Sequence, residues 1–194
     1  MAMNHYTGTR AGNNGGFVQG QVFDMMGQAQ PGSLVHASDM NLCDSMASME
    51  DGADGLVAGL GCVELPVTAL VRGINTKAVR APIATDGADA FAGVVVRTAQ
   101  MGSNAKGQPA LDRGEMATVL RNARSGGRVW VVCARGNAVA GGDVYMVVNP
   151  ADSEVLPHGS FVTAAESGDA VKIQGARWID ASGAGQLNAI EFLG

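Results

Sequence analysis

Apolar and polar positions alternate in short bursts through the second half of the chain, and glycine closes most of the bursts. Val-rich runs occupy Phe91 to Arg97, Met116 to Arg121, Arg128 to Ala134, Val144 to Asn149, Ala176 to Asp180 and Leu187 to Leu193. Short runs rich in β-branched residues and bounded by turn residues predict a many-stranded antiparallel β structure. Ser125-Gly126-Gly127 and Gly141-Gly142-Asp143 stand where hairpin turns are needed, ahead of Arg128-Val129-Trp130-Val131-Val132 and Val144-Tyr145-Met146-Val147-Val148. Further upstream, Gly55 to Leu65 and Val67 to Arg72 read as strands. Pro66 between them marks an edge or a bend, because proline has no N–H to give to a ladder. Met116, Val119, Leu120 and Ala123 fit a helical spacing, while Met116, Thr118 and Leu120 alternate as a strand would. The nearby Gly126-Gly127 turn selects the strand.

Two stretches break this pattern. From Ser38 to Gly52, the acidic residues Asp39, Asp44, Glu50 and Asp51 are interspersed with Met40, Leu42, Met46 and Met49. Leu42, Met46 and Met49 stand at i, i+4 and i+7, which predicts a short helix capped by Ser38 or Asp39 and ended by Gly52, with the carboxylates on a solvated face. Residues 1–32 are rich in Gly, Asn and Gln, and around the apolar island Phe17, Val18, Val22, Phe23, Met25 and Met26 they read as an extended arm. An arm of about 30 residues can span roughly 100 Å, enough to lie along a neighbouring subunit. A freely solvated tail has no use for six clustered apolar groups, so these six are the candidate interface residues. The expected architecture is therefore mainly β. It is an antiparallel β-sandwich or barrel-like domain over residues 33–194, with an extended N-terminal arm over 1–32 and at most one or two short helices.

Composition sharpens the expectation of association. Only 5% of the residues are aromatic and 28 of 194 are glycine, about double the usual share of roughly 7%. A core made of Val, Ala, Leu, Ile and Met buries less area per residue, and each glycine costs backbone entropy on folding. Burial between subunits would supplement such a core, so a homo-oligomer is expected. The net charge of −5 and the scattered cations argue against direct binding of nucleic acid. The longest apolar stretch, Gly55 to Val71, is broken by Glu64 and Pro66, so no membrane span is expected. Met1 to Arg10 lacks the basic and apolar segments of a secretory signal, which predicts a protein that stays in the cytoplasm where it is made.

Little in the sequence points to chemistry. Cys43, Cys62 and Cys133 are widely spaced, with three histidines elsewhere, and offer no clustered metal ligands. The oxygen side chains between Asp39 and Asp51 do not follow a calcium-loop spacing. Cys133 with His158, or a serine with His36 and Asp39, could be paired on composition, but no nucleophile motif surrounds either. The glycines from Gly52 to Gly61 do not form a phosphate-binding loop. Trp130 and Trp178 lie in strands, where tryptophan is normally core or interface. Neither an enzyme nor a bound cofactor or metal is expected.

The order of the strand pieces carries more than their composition. Phe91-Ala92-Gly93-Val94-Val95-Val96, Gly114-Glu115-Met116-Ala117-Thr118-Val119-Leu120-Arg121, Gly127-Arg128-Val129-Trp130-Val131, Ala140-Gly141-Gly142-Asp143-Val144-Tyr145, Gly175-Ala176-Arg177-Trp178 and Ala184-Gly185-Gln186-Leu187 follow one another. In order and spacing this succession resembles the structural cement, or capsid decoration, proteins of tailed bacteriophages. The resemblance covers roughly Lys77 to Gly194, with a weaker echo at Phe17 to Met26 and Gly55 to Val63. The stretch Asp39 to Asp51 and the doubled Gly126-Gly127 look like local elaborations.

The resemblance implies a virion protein on the outer surface of the capsid, made in the bacterial host cytoplasm. It implies a trimer that bridges subunits of the major capsid protein. An alternative is a β-sandwich module for glycans or a receptor, using an exposed Trp130 or Trp178. A more distant one is a small hydrolase built on Cys133 and His158.

Overall fold

A computed structural model gives the fold of residues 29–71 and 74–194. Strands dominate, and they close into two five-stranded barrels with a small three-stranded sheet beside the first. The first barrel comprises β1 (Cys43–Ser48), β3 (Gly61–Val71), β4 (Ile74–Arg80), β5 (Phe91–Val95) and β8 (Met116–Arg121). The second comprises β9 (Arg128–Arg135), β10 (Asp143–Val147), β11 (Phe161–Val162), β12 (Ala170–Trp178) and β13 (Gln186–Phe192). The small sheet is β2 (Leu56–Val57), β7 (Pro109–Leu111) and β6 (Gly102–Ser103). Two short 3-10 segments, Ala37–Leu42 and Ala88–Ala90, are the helical content among the described residues. This is the expected mainly β, barrel-like architecture.

The two barrels share one topology. Numbering each barrel's strands by chain order, the sequence around both is first, third, second, fourth, fifth. The first and third strands are parallel in both, β1 with β4 and β9 with β11. Every other neighbouring pair is antiparallel. The excursions correspond too. In the first barrel β2, between the first and second strands, pairs antiparallel with β7, between the fourth and fifth. In the second, Ala138 and Ser182 occupy the same positions and form an antiparallel bridge. The fold is thus a structural tandem repeat.

Burial on both faces explains the continuous apolar runs. All of β5 is buried. Val94, with Val63 and Leu120, belongs to a core shared with the second barrel, while Val95, with Cys62, Val119 and Met46, belongs to a core within the first. Strands covered on both sides need apolar residues at successive positions, which is why Val94-Val95-Val96 does not alternate. β9 buries Val129, Val131 and Cys133 and leaves the intervening residues partly exposed, the alternation of a strand with one face covered. At the seam Phe91 meets Phe192, with ring centroids 6.0 Å apart and planes tilted by 58°. The two barrels therefore fold against a common core.

Two local expectations need correction. Instead of a helix ending at Gly52, Ala37–Leu42 forms a 3-10 segment and the chain then extends as β1. Met46 and Ala47 are fully buried there, between β4 and β8. Two strand partners and core burial outweigh the helical spacing of Leu42, Met46 and Met49. Nor do all the carboxylates lie on a solvated face: Asp39 is buried and accepts the Arg128 backbone N–H at 3.2 Å. Asp44 is held by Arg124 at 2.7 Å.

Pro66, by contrast, behaves as expected. β3 runs through it as one strand, but the register against β4 shifts between Glu64 and Thr68. β5 pairs with β3 only from Gly61 to Val63, so the proline lies on an edge without a partner strand.

Gly93 is required by close approach. Its φ is +155°, and a Cβ there would collide with the Leu120 carbonyl oxygen. The seam predicts the larger effect elsewhere: Phe192→Ala should destabilise the whole described fold by about 3–5 kcal/mol, the range for emptying a buried aromatic site. A single cooperative denaturation transition that shifts as a whole is expected; a variant that melts only its second half would contradict a common core.

Candidate functional site

The six apolar arm residues singled out from sequence, Phe17, Val18, Val22, Phe23, Met25 and Met26, lie outside the described residues. The root of the arm does not. Gln30 to Val35 runs along β9 as an added edge. Gly32 donates its N–H to Trp130 O at 2.7 Å, Trp130 donates to Ser33 O at 2.9 Å, and Val35 donates to Arg128 O at 3.1 Å. Leu34 bridges Val129 in antiparallel register. On the other side, Arg97, just past β5, donates to Gly32 O at 2.9 Å. The root is therefore bonded to both barrels.

Glycine makes this contact possible at two positions. Gly32 has φ +84° and Gly59 has φ +82°, values that disfavour a side chain. A Cβ on Gly59 would stand 2.6 Å from Pro31 Cβ, and one on Gly32 would stand 2.8 Å from Gly59 N. The Pro31-Gly32 backbone thus lies directly against Gly59. Beside it, a surface cavity of about 330 Å³ is lined by residues that include Gln30, Ser33, Arg97, Met101 and Pro109.

A second cavity, of about 360 Å³, opens where the connection between β10 and β11 leans on the first barrel. Gly61 there donates to Gly159 O at 2.8 Å. Charged groups line the cavity, but several are already engaged. Glu50 accepts the N–H groups of Gly52 and Ala81, and Asp54 pairs with Lys106 at 2.7 Å. His158 also lines it, and its Nδ1 has no hydrogen-bond partner among the described residues.

Among the described residues, no side-chain hydrogen bond joins Cys133 to His158 or His36 to Asp39. Cys133 is fully buried, and its thiol faces the carbonyls of Arg135 and Gly136. Burial pushes that thiol up, away from the reactive thiolate form. Burial likewise pushes Cys62 up to about 12, and burial with the Asp39 and Asp44 carboxylates pushes Cys43 up to about 11. The Asp39 backbone N–H bonds His36 O, while its carboxylate is committed to Arg128 N. No cluster of His, Cys, Asp and Glu suited to a metal ion occurs among the described residues. Trp178 is buried and so offers no platform to a sugar, while Trp130, whose backbone bonds the arm root, is half-buried.

What the charged residues do is hold strands together. In the second barrel Glu191, on β13, receives Arg128 from β9 at 2.6 Å and Arg177 from β12 at 2.6 Å. These hydrogen bonds, from Arg177 first and then Arg128, hold its carboxyl below the usual carboxylate range. Asp169 is held down in the same way by Arg135, its nearest contact at 2.6 Å. In the first barrel Glu64 bridges Arg121 at 2.8 Å and Lys77 at 3.2 Å. Desolvation opposes ionisation of Glu64, yet these partners still leave its carboxyl lowered. Sequence reasoning missed this set because its members are far apart in the chain, as with Arg128 and Glu191, and only the ladder β9–β13–β12 brings them together.

The model for structural cement proteins (E217 gp24/Pam3 gp6) matches residues 18–193. Among solved structures, a chain of the capsid of Myoviridae Phage XM1 is similar at 15% sequence identity and a TM-score of 0.50. The match covers 84% of this chain and 88% of that one. No curated protein matches the sequence.

The lowered carboxylates set the pH dependence. Each favours the folded state above the ordinary carboxylate pKa of roughly 4, and that contribution is lost as pH falls through the lowered folded value. The melting temperature should hold steady from pH 7 to 5 and fall steeply below pH 4. Glu191→Gln should cost about 2 kcal/mol at pH 7, the scale of a charged hydrogen bond, and should flatten the acid limb. An unchanged acid limb in this variant would show that Glu191 is not among the groups responsible.

Proposed function

The chain belongs to the structural cement protein family of phages, and from that premise we propose that it binds the outer surface of a phage head and stabilises the shell by bridging major capsid protein subunits. Its role is structural and capsid-associated. The observation that carries the finer reading is the extent of the family match, residues 18–193. That span takes in the apolar arm segment from Val18 to Met26, the arm root and both barrels, so the arm belongs to what the family has in common.

In this reading the two-barrel body is the rigid part and residues 1–28 are the strap. The root at Gln30 to Val35 is bonded to both barrels, so a pull on the arm is delivered to the whole body. A strap of 28 residues reaches up to about 90 Å when extended, which is enough to contact a neighbouring shell subunit through Phe17, Val18, Val22, Phe23, Met25 and Met26. The protein acts as a homo-oligomer, with a trimer favoured, and its net charge of −5 suits a face turned to solvent and not to packaged DNA. Shell stabilisation follows from apolar area buried across neighbouring subunits, at about 25 cal/mol per Å².

The test is to mix the purified protein with cognate expanded shells that lack it and to pellet the shells. The intact chain should co-pellet; failure to do so would end the cement reading. Removing residues 1–28 should leave the melting temperature unchanged and weaken shell binding at least tenfold. Removing residues 1–35 should also lower the melting temperature, because it strips the added edge from β9. Shell affinity that survives loss of residues 1–28 would show that the arm is not the strap.

A further inference from the structure

The glutamate that ties three strands of the second barrel together does not use up the arginines that hold it. Arg177, Glu191 and Arg128 stand side by side on β12, β13 and β9, because Arg177 is opposite Glu191 in one ladder and Glu191 is opposite Arg128 in the next. Glu191 Oε2 accepts from Nε and Nη2 of Arg177 at 2.8 and 2.6 Å. Glu191 Oε1 accepts from Nε of Arg128 at 2.8 Å and lies 2.6 Å from its Nη2. Both arginines thus turn the same edge of the guanidinium to the carboxylate. The third nitrogen of each, Nη1, has no hydrogen-bond partner among the described residues. A guanidinium is a rigid fork of N–H donors, so each arginine keeps a pair of donors unengaged.

Exposure separates this group from other ion pairs of the chain. The Glu191 side chain is 9% exposed, while those of Arg128 and Arg177 are 40% and 49% exposed. At Lys106–Asp54, Arg113–Asp51 and Lys172–Asp143 the carboxylate is the more exposed partner. Two guanidinium charges against one covered carboxylate leave this group with an outward positive charge, in a chain whose net charge is −5.

Apolar groups flank it. Strand alternation puts the half-buried Trp130 on the side of β9 that carries Arg128. Leu193, 46% exposed, stands two residues beyond Glu191 and donates its N–H to Gly175 O at 2.6 Å. The arm root follows the edge of β9 away from β13, so it does not cover β12 and β13. Exposed arginines beside tryptophan and leucine have the make-up of a protein-binding surface.

The charge selects the partner. One net positive charge with paired donors fits a carboxylate, which a guanidinium binds through charge-assisted hydrogen bonds. A nucleic-acid backbone repeats its charge at every nucleotide and needs a run of unpaired cations, which this face lacks. We propose that the Arg128–Arg177 face docks an acidic segment of a shell subunit, whose carboxylate accepts from the outward Nη1 groups while a neighbouring apolar side chain packs beside Trp130 or Leu193. This rests on the cement reading and names a surface of the body that makes the contact.

The test compares the full-length chain with an Arg128→Lys/Arg177→Lys double variant. Lysine keeps a cation on Glu191 but has no second edge to present outward. The variant should melt within about 4 °C of the parent, the scale of a change of about 1 kcal/mol in a chain of this size. Its affinity for cognate expanded shells, read by co-pelleting, should fall at least tenfold, and its binding should respond less to added salt because a screened contact has been lost. Should the double variant melt well below the parent, Arg177→Lys alone is read in the same way. Parent-like shell affinity in a folded variant overturns the proposal and leaves the cement role standing. Failure of the parent itself to pellet ends both. A change in the variant's mass by light scattering without shells would assign the face to contact between copies, and duplex DNA shifted by the parent but not by the variant would assign it to nucleic acid; either result overturns the proposal.

Discussion

The seam between the barrels, where Phe91 meets Phe192 and Val63, Val94 and Leu120 join the core of the second barrel, buries side chains that each barrel would otherwise present to water. With only 5% aromatic residues, the chain has few large groups, and two of them are spent on this contact. A five-stranded barrel of about 60–80 residues buries a modest fraction of its surface when alone. Packing two of them face to face turns three strands of the first barrel into elements covered on both sides. The arm root, the β10–β11 loop and the Gly61–Gly159 bond then occupy positions fixed by that docking.

The repeat explains how the seam arises. Both halves follow the same strand order, with the same parallel pair and with corresponding excursions bridged to each other. Yet the halves do different work. The second barrel is braced by side chains, with Glu191 held between two arginines and Asp169 held by a third. The first barrel carries the additions, a longer hairpin and a full small sheet in place of a single bridge.

Much of this was legible in the chain, and the misses have identifiable causes. Met116 to Arg121 reads correctly as a strand because a turn follows it, and Pro66 marks an edge because proline cannot bond there. The stretch from Ser38 to Gly52 misleads because Met46 and Ala47 are buried by strands drawn from distant parts of the sequence. β6, β7 and β11 are two or three residues long, too short to show any period. The duplication is invisible for a related reason: it lives in pairing order, which local periodicity does not record. The apolar island Phe17 to Met26 stands out in the sequence but lies outside the described residues, whereas the arm root is a short Pro-Gly-Ser run followed by Leu34 and Val35, too brief to show any period.

Closure of the barrels also limits where association can occur. A sheet edge offers unpaired N–H and C=O groups to any passing strand, and closed barrels have no such edge. The small sheet ends in β2 and β6, two residues each, which is too short to template a partner. What remains open among the described residues is the part of the β3–β4 hairpin beyond Pro66, where β5 no longer pairs with β3 and β1 no longer pairs with β4. One open edge of defined length limits where a further strand can be added to the described fold.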